Sequence, residues 1–308
     1  MWSYVAVLLL GGTAMAAAPS VLPARLSALR ATKISVDHQN NLWAWNAATN
    51  VVTRIAVDGT RTDSGELPAG YTVDADDVWG IAVLATDGHA IDVFDWRGHV
   101  IGEVKLPEPV GDLAWIGPRQ IAVTPQFAPH RIEVWDVQRR SMTGTIGPRP
   151  VLVPTPGAAP AHAVLVRFDA ARQEIVTLDG FTGELIVYTP AGGIVRTARL
   201  ENPDQASLSQ WLARNDASSK AKREVFRPLL WTFPTLTIDR EGAVWVGERS
   251  DPAGSVAAFR IGRDGSLRHV TLRSPDCPSI RFASWQDYMI FFRDAKMPQV
   301  TCTGVRRQ

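Results

Sequence analysis

Residues 235–272 read TLTIDREGAVWVGERSDPAGSVAAFRIGRDGSLRHVTL, four short apolar runs separated by three breaks. The first break is Asp239-Arg240-Glu241-Gly242, the second runs from Glu248 to Ser255, and the third is Arg263-Asp264-Gly265. Asp-Gly suits the positive φ angles of a tight hairpin, so the stretch predicts a four-stranded antiparallel sheet. One such sheet on its own leaves both faces in water. The remainder of the chain therefore has to supply its cover.

The same pattern recurs on both sides. Residues 34–60, ISVDHQNNLWAWNAATNVVTRIAVDGT, break where the first stretch breaks: Asp37 corresponds to Asp239, Trp43 to Trp245 or Val244, and Asp58-Gly59 to Asp264-Gly265. Further units run from about 76 to 106, 110 to 147 and 162 to 200, with a shorter one from 280 to 303. The third strand and its hairpin repeat most clearly, as RIAVDGT, IDVFDWRGHV, IEVWDVQRRSM, LIVYTPAGGIV and VAAFRIGRDGSL. An array at a period of roughly 35 to 45 residues predicts an all-β six-bladed β-propeller, each blade covering the next. The alternative, a two-sheet sandwich, has no such period.

The last unit is short by one strand. The segment from Ala24 to Thr32, ARLSALRAT, is expected to complete it from the amino terminus, so that no sheet edge stays open. Residues 201–234 interrupt the array between the fourth and fifth units with helical signals. Asn202 can cap, Pro203 fits the first helical position, and Leu208, Trp211 and Leu212 share a face, so a helical insertion is expected, the alternative being a loop.

Composition bounds the rest. With 308 residues, 45% hydrophobic and 20% charged, the chain can bury a large core, and residues 19–308 are expected to form one propeller domain. A formal charge of +1 with scattered basic residues gives no reason to expect nucleic acid. Residues 1–18 hold the apolar run WSYVAVLLLGGTAMAAA, ending in small residues at A-x-A spacing, which reads as a cleavable export signal. Since about 20 apolar residues are needed to span a bilayer, a membrane anchor is the weaker reading. The expected location is periplasmic or extracellular, as a monomer with no stable membrane span. Cys277 and Cys302 are then expected to pair, closing a ring of about 25 residues worth roughly 3 to 4 kcal/mol through the unfolded state. The alternative is two buried thiols.

Eleven tryptophans invite a ligand-cage reading. Trp43, Trp79, Trp115, Trp135 and Trp245 sit in apolar runs, however, and burying each removes about 200 Å² from water at roughly 25 cal/mol per Å², so packing between blades accounts for them.

These units resemble the six-bladed propellers of the NHL and TolB-like type, whose repeat runs apolar-Asp-x-x-Gly-x-apolar-apolar-V and then R-I-x-V-F-D-x-x-G. Residues 34–59 and 236–265 carry the pattern, and Phe94 to Val123 is similar to exported bacterial members. The resemblance implies fold more than activity, because the shared residues are turn and core positions. Lactonase-like and arylesterase-like relatives hold a divalent metal at the axis, but their ligands are not matched here, since residues 34–37 offer only Asp37.

No G-x-S-x-G elbow, H-E-x-x-H pair, phosphate loop or paired-cysteine metal motif occurs, and neither catalytic nor metal-ligating residues are assigned. His89, His130 and His162 fall in comparable loops and are read as solvated. Propeller topology puts the connections between second and third strands on the same face as those between blades. The long ones all belong to that class: 124–130, 147–161, 201–234, 248–255 and 293–299. Trp211, Arg249, Asp251 and His130 are its candidate binding residues. The expected function is non-catalytic binding of a protein, peptide or glycan there, with no cofactor. The alternative is a lactonase- or esterase-like hydrolase, or a lyase, with an axial site that works with or without a divalent metal.

Overall fold

A computed structural model describes residues 31–148, 164–201, 233–248, 255–273, 281–286, 288–292 and 304–306. Among them the secondary structure is entirely β. The first sheet holds β1 (Lys33–Val36), β2 (Leu42–Asn46), β3 (Val51–Ile55) and β4 (Arg61–Asp63). The second holds β5 (Gly70–Asp76), β6 (Gly80–Ala85), β7 (Ala90–Phe94) and β8 (Val100–Lys105). The third comprises β9 (Val110–Gly117), β10 (Gln120–Pro125), β11 (His130–Asp136) and β12 (Ser141–Pro148). β13 (Val164–Asp169), β14 (Glu174–Asp179), β15 (Glu184–Tyr188) and β16 (Ile194–Arg199) form the fourth. β17 (Thr235–Ile238), β18 (Val244–Gly247), β19 (Ser255–Ile261) and β20 (Leu267–Arg273) form the fifth. Each is a sequential antiparallel meander, and the fold is a β-propeller of four-stranded blades.

The count differs from the sequence expectation. Five blades are four-stranded, and the remaining sheet has three strands, β21 (Arg281–Trp285), β22 (Tyr288–Phe292) and β23 (Gly304–Arg306). The closure assigned to Ala24–Thr32 fails at its carboxyl end, where Thr32 N–H donates to the Trp45 carbonyl at 2.6 Å and extends β1 against β2. The reason is register: Lys33 already faces Trp45 in that ladder, so the residue before it continues the first sheet. Ala24 to Arg30 lie outside the described residues. So do residues 202–232, and with them the expected helix.

The repeat signals were turn and core positions, and the structure gives their physics. Asp37 closes the β1–β2 turn by accepting from Gln39 N–H at 2.9 Å and Asn41 N–H at 2.8 Å, and its other oxygen accepts from Trp43 Nε1 at 2.9 Å. Asp239 does the same in the fifth blade, accepting from Glu241 and Ala243 N–H and from Trp245 Nε1 at 2.8 Å. One carboxylate thus fixes a turn and anchors an indole on the second strand. Gly80 must be glycine for a separate reason: its φ is +100°, and a Cβ there would come within 2.5 Å of the Phe94 carbonyl oxygen.

Apolar clusters fill the spaces between neighbouring sheets. Trp115 and Trp135 pack with Leu84, Ile91 and Val93 between the second and third blades. Leu178 and Val187 meet Val246 and Phe259 between the fourth and fifth. On either side of the three-stranded sheet, Trp285 packs with Leu42 and Ile55, and Phe282 with Trp245 and Ala258. Trp43, Trp115, Trp135 and Trp245 are buried, as packing demanded. Trp79 is the exception among the five, a half-buried turn residue after β5.

Candidate functional site: the axis and its tight-turn mouth

The innermost strands β1, β5, β9 and β13 carry a charged cluster that sequence reasoning did not find. Lys33 Nζ donates to Asp112 Oδ1 at 3.0 Å and to Thr72 Oγ1 at 2.7 Å. Arg167 Nη1 donates to Asp112 Oδ2 at 2.6 Å, and Val166 N–H reaches the same oxygen at 3.2 Å. Asp74 Oδ2 accepts from Trp115 N–H at 2.9 Å. These residues come from four blades, and the hydrogen-bonded pair Lys33 and Asp112 is 79 positions apart in sequence. Each innermost strand points alternate side chains into the axis, which is why groups so distant in sequence converge.

Burial sets their proton equilibria. Desolvation lowers the Lys33 ammonium pKa, with Asp112 opposing it. Desolvation also raises the Asp74 carboxyl, against the pull of Lys33. Asp112 is desolvated as well, yet the Arg167 and Lys33 charges win and hold it below the usual carboxylate range. Two carboxyls in one channel are therefore pushed apart by their neighbours.

The β1–β2, β5–β6 and β13–β14 turns frame the mouth of this axis. A cavity of about 40 Å³ opens there, bordered by His38, Asp76, Trp79, Trp115, Arg167 and Phe168, with Asp74 and Ser35 deeper along the strands. His38 Nδ1 pairs with Asp76 Oδ2 in a short contact, and its ring stacks on Trp79 at 4.7 Å between centroids with planes 8° apart. Asp76 is itself fixed, because Oδ1 accepts from Val78 N–H at 2.9 Å and Trp79 N–H at 3.1 Å. A carboxylate held this way orients the imidazole. With room for roughly three waters, the cavity takes a small group and not a whole drug-sized ligand.

The sequence-based candidates stand elsewhere. His130 opens β11 and its Nε2 pairs with Glu133 Oε1 at 3.0 Å, while Glu133 also accepts from Trp135 Nε1 at 2.9 Å. Trp211, Arg249 and Asp251 lie outside the described residues, as do Cys277, Cys302, His162 and residues 1–18. His89 is exposed on the β6–β7 connection. Among the described residues no three His, Cys, Asp or Glu side chains are grouped to hold a metal ion, and no helix is long and apolar enough to cross a membrane. The flanking ends of β12 and β13, of β16 and β17, and of β18 and β19 lie on one face, where the β10–β11 connection is only 126–129. The cavity opens on the opposite face. What could have flagged it is the alternation D-x-D in Asp74-Ala75-Asp76 beside His38 and Trp79, but only the ring of blades joins those residues.

No protein-family model matches the chain, and no curated protein matches it. Solved structures do. A member of the DUF4221 family from Bacteroides vulgatus superposes with TM-score 0.58 at 10% identity, covering 88% of this chain and 89% of that one. Virginiamycin B lyase from Staphylococcus aureus gives 0.51 at 13% identity over 85% of this chain and 76% of that one. A protein of unknown function from Bacteroides thetaiotaomicron gives 0.52 at 12% identity, covering 87% and 67%. The shared property is the β-propeller. At these identities the likeness extends to fold alone, since one propeller scaffold hosts many unrelated functions.

Proposed function

We propose that this chain is a non-catalytic, exported β-propeller that binds a protein, peptide or glycan through its long-connection face. The observation that carries the reading is the asymmetry of its connections. Fifteen residues, 149–163, separate β12 from β13, and 35, 200–234, separate β16 from β17. The β9–β10 turn on the other face is only 118–119. A rigid ring that concentrates its chain length on one side is built to present that side. The three-stranded sheet serves in this proposal as a sixth blade, completed by residues before Ala31. The charged axis fits a scaffold role, because Asp112 ties Lys33 of the first blade to Arg167 of the fourth. The test is a glycan and peptide panel run on the mature protein, on Trp211→Ala and on a variant with 202–232 replaced by a short Gly-Ser linker. Ligands retained by the wild type and lost by variants of unchanged melting temperature support the reading. Ligands held equally by all three proteins refute it.

A second reading, a lactonase- or esterase-like hydrolase or a lyase with an axial site, is favoured by the His38–Asp76 pair at the cavity. An oriented imidazole is a general base in the making. A panel of lactones and esters, run with and without added divalent metal, separates the two: turnover lost in His38→Asn supports the enzyme, and turnover unchanged in that variant removes it.

A further inference from the structure

The hairpins from third to fourth strand all turn on the face opposite the long connections, and each of the five four-stranded blades exposes a large apolar side chain there. In the first blade it is Val57, in the β3–β4 turn. The second exposes Val100 and Ile101 at the start of β8, and the third exposes Met142, the second residue of β12. Ile194 and Val195 open β16, and Leu267 opens β20. The opposite ends of these outer strands are different: β8 ends in Lys105, β16 in Arg199 and β20 in Arg273. Exposed apolar side chains scattered singly are ordinary, but the same hairpin carries one in blade after blade.

Charge on these hairpins is also one-sided. Residues 55–61, 94–101, 136–142, 188–196 and 261–268 hold seven arginines against four aspartates. The aspartates are turned back onto their own backbone: Asp58 accepts from Thr60 N–H, Asp95 from Arg97 and His99 N–H, Asp136 from Arg139 N–H and Asp264 from Ser266 N–H. Arg97, Arg139, Arg140, Arg263 and Arg268 are exposed. The rim therefore presents aliphatic side chains beside outward guanidinium groups.

We propose that this rim docks the protein on an anionic lipid bilayer, with the aliphatic side chains entering the headgroup layer and the arginines meeting lipid phosphates. Guanidinium matches phosphate bidentately, and apolar burial adds to electrostatic attraction at such a surface. The spacing selects a bilayer over a protein partner. Apolar points set one blade apart leave polar surface between them, which a rigid partner would have to match and a fluid surface accommodates. Docked this way, the ring turns its long-connection face away from the membrane.

The experiment sediments the mature protein with vesicles of phosphatidylcholine alone and of an equal mixture of phosphatidylcholine and phosphatidylglycerol. Association with the anionic vesicles, weakened by salt and missing with phosphatidylcholine, is expected. Arg139→Gln combined with Arg140→Gln should weaken it roughly 25-fold, at about fivefold for each charge. Val100→Asn combined with Ile194→Asn should weaken it about tenfold or more. Lys105→Gln combined with Arg199→Gln removes as many charges from the other end of the outer strands and should leave binding within about twofold of wild type. All six side chains are exposed, so melting temperatures should not move; if the apolar pair lowers its own, the two charge pairs still decide. Absence of binding to the anionic vesicles, equal binding to phosphatidylcholine, or equal loss in the two charge pairs overturns the proposal. Self-association that the apolar pair abolishes, without vesicle binding, also overturns it and assigns the rim to a second copy of the chain. Replacing 202–232 by a linker should leave vesicle binding unchanged, so this proposal fails or holds separately from the partner-binding face.

Discussion

Replacing Asp112 with asparagine removes the one group that bonds both cations of the axis. In the wild type its oxygens take Lys33 Nζ at 3.0 Å and Arg167 Nη1 at 2.6 Å, with the carboxylate side chain 5% exposed. The amide can still accept from one cation, but its NH₂ then faces the other as donor against donor. Breaking a buried ion pair from one side costs about 3 to 5 kcal/mol, because the remaining charge is left desolvated and uncompensated. Unfolding entropy of roughly 2.1 cal/mol/K per residue gives about 0.6 kcal/mol/K for a chain of this size, so the expected fall in melting temperature is roughly 5 to 8 °C. Calorimetry or circular dichroism reads it directly. The pH dependence gives a second handle. Asp112 is held below its ordinary value of 3.8, so its stabilisation is complete above that value and is lost as pH falls through the lower folded-state value. The gap between wild type and variant therefore narrows on acidification below about pH 4. Asp74 has the opposite sign: its raised pKa favours the fold at low pH, and that contribution is lost as pH rises through its folded-state value. A variant that melts within about 1 °C of wild type at neutral pH would refute the view that Asp112 couples the blades.

Asp239→Ala frees two turn N–H groups and the Trp245 indole at once; at about 1 kcal/mol for each net hydrogen bond, urea unfolding should register a loss of roughly 2 to 4 kcal/mol, and a loss below 1 kcal/mol would show that the turn does not need its carboxylate. Intact mass of the mature protein with and without reductant should differ by two hydrogens if Cys277 and Cys302 pair; two alkylatable thiols in the native protein would remove the disulfide. Deleting residues 19–30, which leaves Thr32 and the first sheet untouched, should lower the melting temperature sharply if that segment completes the three-stranded sheet, and an unchanged transition would leave that sheet complete without it.

Local contacts were legible in the linear chain. The Asp-turn-Trp unit repeats as Asp37 with Trp43 and Asp239 with Trp245 because one carboxylate meets needs only two to six residues away, and that spacing survives in the linear chain. Hairpins such as Asp58-Gly59 and Asp264-Gly265 are local for the same reason, with positive φ at Gly59 and Gly265. Strand count at the last blade was not local: it depends on which segment lies beside β23, a question of closure around the ring. The axis was hidden more thoroughly. Lys33, Asp74, Asp112 and Arg167 are single charges in separate strands, and a lone charge in an apolar run reads as a solvated position until a period of 2 and a ring of sheets turn it inward. Trp79 shows the same limit at one residue, since its apolar neighbours marked it as core while the β5–β6 turn sets it against His38 at the cavity. Turn chemistry is written between near neighbours, whereas a site made from four blades exists only once burial has changed what each of its charges costs.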